Sequence, residues 1–199
     1  MDDIKSAREI AMEKVEKIGE TTEEERLKWK YVPQGEKLAA KYLKEDCNLR
    51  VEISKYEENV KKYVIEGATE ILSRNINLPK DELAKKNNRK VMDGLKFLKS
   101  DKVSVENVYS KIRYLFNHYA EQGEQQRQQA YQSLKAELEA QIQQAAQQQL
   151  GPLMGTKIDV EKQPQFQQEW RKMLTQLDSQ YLSHLNECKR ELSEINELR

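Results

Sequence analysis

Apolar residues recur every three or four positions along almost the whole chain, which is the spacing of one helix face rather than the alternation of a strand. The first run, Ile4, Ala7, Ala11, Val15 and Ile18, stops at Gly19, a residue suited to the left-handed turn that ends helices. Thr22 followed by Glu25 forms a capping box for the next helix, which carries Leu27 and is expected to end near Tyr31 because Pro33 disfavours helical geometry at Val32. A short helix with Leu38, Ala39, Tyr42 and Leu43 is expected after it, closed by the polar Asp46, Cys47 and Asn48. Leu49, Ile53, Tyr56, Val60, Tyr63, Val64, Ala68, Ile71 and Leu72 then mark a longer amphipathic stretch. Pro79 opens a further helix near Asp81, with Leu83, Val91, Leu95 and Leu98 on its apolar side, and Ser104 is the expected N-cap of the last and longest region.

In that last region Val105, Val108, Ile112, Leu115 and Tyr119 keep helical spacing, and the pattern resumes at Tyr131, Leu134, Leu138, Ile142 and Ala145. Between Tyr119 and Tyr131 the seam is polar, with Gln122, Gly123 and Gln126 on it, which predicts a hinge or an amide-bonded layer. A helix from Ser104 to Leu150 would extend roughly 70 Å and cannot stand alone in water. Its natural companion is a second helix from about Gln165 to Leu198, carrying Phe166, Trp170, Leu174, Leu177, Tyr181, Leu185, Cys188, Leu192 and Ile195. The expected fold is therefore all-α: a bundle of short helices over residues 1–103, then a long antiparallel, coiled-coil-like hairpin over 104–199 that turns near 151–164. Leu134, Leu138 and Ile142 are expected to face Phe166, Trp170 and Leu174, and the far end of the return helix to dock on the bundle.

Composition sharpens the division, since 18 of the 19 Gln residues lie from Gln122 onward. Lys plus Arg equals Asp plus Glu at 34 each, so no net field favours nucleic acid or an anionic membrane. No stretch approaches the ~20 apolar residues of a membrane span, and no basic segment followed by an apolar run opens the chain, so a cytoplasmic location is expected. Cys47 and Cys188 are far apart and form no metal or disulfide pattern.

Candidate chemistry is sparse. His184 precedes Glu187 by three residues and Cys188 by four, and His118 precedes Glu121 by three, but no HEXXH or EXXH spacing occurs and no metal or other cofactor is expected. Cys188 lies in an apolar stripe and reads as core; no phosphate-cradling glycine loop is present. Two regions are more informative. Arg26, Lys28, Lys30, Lys37, Lys41 and Lys44 interleave with Trp29, Tyr31 and Tyr42, the mixture of cations and aromatic rings that holds single-stranded nucleic acid. The favoured alternative is that Trp29 and the tyrosines pack inward while the lysines pair with nearby carboxylates. A second basic group is Lys85, Lys86, Arg89 and Lys90. At the hairpin turn Leu153, Met154, Ile158 and Val160 are apolar although they should lie at a tip, so they either plug the hairpin or meet a partner. The expected function is that of a non-enzymatic structural or adaptor protein with a protein partner or a second copy of itself. A nucleic-acid-associated protein is the alternative, and an enzyme with an unrecognised core site comes third.

Overall fold

The computed structural model describes residues 22–45, 47–150 and 159–198, of which 146–150 are described for the backbone alone. The protein is all-α: α1 (Glu23–Lys44), α2 (Leu49–Ser54), α3 (Glu58–Arg74), α4 (Glu82–Leu98), α5 (Lys102–Leu150) and α6 (Pro164–Glu194), with a short 3-10 turn at Val160–Lys162. The expected helix over residues 4–18 lies outside the described residues. The helices divide between two compact units that do not follow chain order. One takes the described residues up to Asn75 together with Lys90–Lys102 and the segment from Ile195; the other takes Ile76–Arg89 and Val103–Glu194. The chain passes from the second unit to the first inside α4.

In the first unit the Thr22 capping box is present, its hydroxyl accepting from the Glu25 amide and the Glu25 carboxylate accepting from the Thr22 amide. The helix it opens does not stop at Tyr31. It runs through Pro33 to Lys44, replacing the two short helices expected from the sequence. A proline inside a helix costs about 3 kcal/mol through a lost hydrogen bond and a clash with the preceding turn. The compensation is tertiary: α1 lies directly on α3 where Gly35 and Gly67 let the backbones touch. A Cβ at position 35 would sit 2.0 Å from the Val64 carbonyl oxygen, and one at 67 would sit 2.1 Å from that of Val32. Around this contact Leu38, Ala39, Val60, Tyr63, Val64, Ala68 and Leu72 are buried. Asn48 caps α2 through its side-chain oxygen.

The end of α4 is closed by Lys102, whose ammonium donates to the carbonyls of Lys96, Phe97 and Lys99. Beside it the chain from Ile195 is extended and not helical as expected, because its backbone pairs with residues 98–100. Leu198 N donates to Leu98 O at 2.8 Å, Ser100 N to Asn196 O at 2.9 Å, and a bridge joins Lys99 and Glu197. The Lys99 side chain is 1% exposed and donates to Ile195 O at 2.7 Å.

In the second unit Asn88 is buried and clamps the chain before α4, accepting from Asn77 N and donating to Asn77 O. α5 runs 49 residues unbroken through 122–126, and Ser104 falls inside its first turn. α6 runs antiparallel to it. Lys111 meets Glu191, Tyr119 meets Asp178, and Tyr131 meets Trp170, the partner stepping backward as α5 advances. At one end Leu134, Leu138, Val160 and Phe166 form a buried cluster, flanked by Tyr131, Ile142, Trp170 and Met173.

Candidate functional site

The nine residues of the basic-aromatic segment all lie on α1, where successive side chains turn by about 100°. That rotation sorts them into two faces. Tyr31 and Tyr42 fall on the side of the buried Gly35, Leu38 and Ala39. Tyr31 packs edge-on against Tyr56 at 6.4 Å, and the Tyr42 hydroxyl donates to Lys90 O at 2.9 Å. Burial pushes the Tyr42 hydroxyl above its ordinary pKa. Lys28 also falls on this side and pairs with Glu66 at 2.6 Å, which raises the lysine's pKa.

Arg26, Lys30, Lys37, Lys41 and Lys44 share the opposite face within an arc of about 60°, and all five are exposed. None forms an ion pair among the described residues, although the Lys30 ammonium lies over the Tyr31 ring at 5.1 Å. Lys41 does lie near enough to Glu52 to help hold that carboxyl down, although Lys55 is the larger cause. Elsewhere in this unit four cations are matched to carboxylates, Lys55 to Glu52, Lys61 to Glu58, Lys62 to Glu24 and Arg74 to Glu70, while Arg50 lies over the Phe97 ring. Trp29 borders the stripe between Arg26 and Lys30. It is 60% exposed, against the expectation that it packs inward. The reason is positional, because Trp29 is almost a half turn from the line of Leu38 and Gly35 that meets α3. Of the second basic group, Lys85 pairs with Glu82, and Lys90 donates to Glu45 O and lies over the Tyr42 ring.

The polar seam of the second unit is organised around Asp178, which the sequence reading did not single out. Asp178 is 7% exposed. One of its oxygens accepts from the Tyr119 hydroxyl at 3.0 Å and the other pairs with Lys80 at 2.5 Å. Burial, reinforced by that hydrogen bond, pushes the Tyr119 hydroxyl up to about 12. Tyr181 stands edge-on to Tyr119 at 5.0 Å, and its hydroxyl lies 3.0 Å from His118 Nδ1. Arg127 covers the other side of the Tyr119 ring at 4.4 Å. Gly123 is buried and makes room, since a Cβ there would lie 3.2 Å from the Tyr181 hydroxyl, whereas Gln122 and Gln126 are exposed. The signal available in the sequence was the three-four run Asp178, Tyr181, Leu185, Cys188, Leu192, which places an aspartate on the seam.

Of the four apolar turn residues, Leu153, Met154 and Ile158 lie outside the described residues. Val160 is 3% exposed and folded onto Leu134, Leu138 and Phe166, so it offers no surface. The Lys135–Glu161 pair at 2.5 Å fastens the same turn to α5. His184 lies 3.4 Å from Glu187, and among the described residues no group of three or more His, Cys, Asp or Glu is placed to hold a metal ion. Cys188 is buried, which raises its thiol pKa. No helix of the described residues is long and apolar enough to cross a membrane.

Fold and side chains together define an all-helical protein in which the buried Asp178 joins helices of one unit and a row of five cations without ion pairs among the described residues lies on the outer face of α1. The chain belongs to DUF6657, a family of unknown function, whose match covers residues 50–194 and thus begins after α1. No curated protein and no solved structure matches it.

Proposed function

We propose that the protein is a cytoplasmic, non-enzymatic structural or adaptor protein that acts through protein–protein contacts, with a second copy of itself among its partners. The observation that supports this reading is the outer face of α5. Val105, Val108, Ile112 and Tyr119 form its buried line, while Val103 and Tyr114 stand on the opposite side, three turns apart and within about 20° of each other; they are 72% and 73% exposed. Large apolar side chains aligned opposite a buried seam are suited to a further helix laid alongside, in the manner of coiled-coil assembly.

Light scattering of the full chain across a wide range of concentration tests the reading. Mass that grows with concentration, and a Val103→Ser/Tyr114→Ser variant that stays monomeric with unchanged helix content, is the expected result. A chain that remains monomeric throughout and captures no protein partner from its native cell would overturn it.

A further inference from the structure

The outer face of α1 carries a feature that protein–protein assembly on α5 does not use. Five cations line up from Arg26 to Lys44, a span of about 27 Å at ~1.5 Å per residue, and none has a carboxylate partner among the described residues. In a chain whose positive and negative residues balance at 34 each, and whose neighbouring lysines are paired, such a row is a local excess. Trp29 stands at its edge, 60% exposed and next in sequence to Lys30. We infer that this face is a binding site for single-stranded nucleic acid, with the cations holding backbone phosphates and the Trp29 ring stacking on a base.

Three features favour this occupant over other anions. An exposed indole adds nothing to an ion pair with a carboxylate, but base stacking on an aromatic ring is a main source of affinity for single strands. The row is one residue wide, which suits a polymer with one line of charge. A membrane surface would require several apolar side chains to enter the interface, and Trp29 is the only large apolar side chain that α1 exposes strongly. The stripe also precedes the span matched by the family, so this binding is a property of α1 in this chain and does not rest on the adaptor reading.

Fluorescence anisotropy with the full chain and a labelled oligothymidylate of about 20 nucleotides, longer than the ~4–16 that such a site covers, provides the test. Five phosphate contacts predict that log K falls with log salt at a slope of about −3.5, each contact contributing roughly −0.7. Lys37→Gln/Lys41→Gln/Lys44→Gln should reduce that slope to about −1.4 and weaken binding at low salt, while the matching Arg triple should retain both. Trp29→Ala should weaken binding roughly five- to a hundredfold with the slope unchanged. In a Trp170→Phe background, Trp29 emission should be quenched by the oligonucleotide. Trp29 and the three lysines are exposed, so circular dichroism of those variants should be unaltered. No binding at low salt, or a slope indifferent to the glutamine triple, would overturn the inference. So would equal competition by a polyglutamate peptide or by phosphatidylserine vesicles, which would assign the face to an acidic protein or a membrane instead.

Discussion

Asp178 occupies a position on α6 where the spacing of Tyr181, Leu185, Cys188 and Leu192 calls for an apolar residue, and it is satisfied there by Tyr119 and Lys80. A buried polar group on a helix seam fixes register, because any slip leaves it without partners. Asp178→Ala should cost about 1 to 3 kcal/mol, since the buried Tyr119 hydroxyl loses its acceptor while the exposed end of Lys80 returns to water; urea unfolding measures it. The tyrosine gives a second, pH-dependent outcome. Its pKa in the folded protein is raised to about 12 from an ordinary 10, so its contribution is intact below pH 10 and is lost as pH climbs toward 12. The urea midpoint of the native chain should therefore fall more steeply over that window than that of Tyr119→Phe. These partners were not legible in advance because a lone aspartate on a charged helix reads as solvent-facing until the opposing tyrosine and lysine are brought in from residues 59 and 98 positions away.

Helix positions followed from local rules wherever those rules acted alone. The capping box at Thr22, the interruption at Asn75–Pro79, and the start of α6 beside Pro164 all fall where short-range chemistry places them. Local rules failed at Pro33, where the cost of a helical proline is offset by the contact of α1 with α3. They failed again after Glu194, where apolar spacing continued but backbone pairing with residues 98–100 took over. They failed also at Ser104, which lies inside α5 instead of capping it, and within the stretch from Leu49 to Leu72, which is divided into α2 and α3. Gly35 and Gly67 make the α1–α3 contact testable. Alanine in place of a helical glycine ordinarily stabilises by roughly 0.5 to 1 kcal/mol. At position 35 or 67 the new Cβ would press into a backbone carbonyl, so each change should instead destabilise by about 1 to 3 kcal/mol. Denaturant midpoints of Gly35→Ala and Gly67→Ala, set beside an exposed control such as Lys37→Ala, report the sign. The candidate face on α1 was half legible: its cations and Trp29 could be read from the sequence, but the sorting of Tyr31, Tyr42 and Lys28 to the other side required the helix to continue past Pro33.

At the scale of the whole molecule, the two units interleave along the chain, and the first draws on residues from both ends of the described region. Its stability thus depends on a very short segment. Cutting the chain before Ile195 removes the acceptors of Lys99 Nζ and Ser100 N and the donor to Leu98 O. Burial already lowers the Lys99 pKa and raises that of Glu197, so this ammonium is poorly placed to lose its carbonyl. The truncated chain should lose about 2 to 4 kcal/mol, and hydrogen exchange should quicken at the Ser100 amide, which loses its Asn196 acceptor, while the amides of α6 near Phe166 stay protected.

The same interleaving sets an order of events during synthesis. The segment from Ile195 emerges from the ribosome roughly ninety residues after Lys102, which at ~5–20 residues per second is a delay of about 5 to 20 s. Throughout that interval Leu98 O, Ser100 N and Lys99 Nζ lack the partners that the segment from Ile195 supplies, while α5 has been made and awaits α6. A nascent chain therefore carries an unfilled site for an extended peptide, and the segment competing for it is its own.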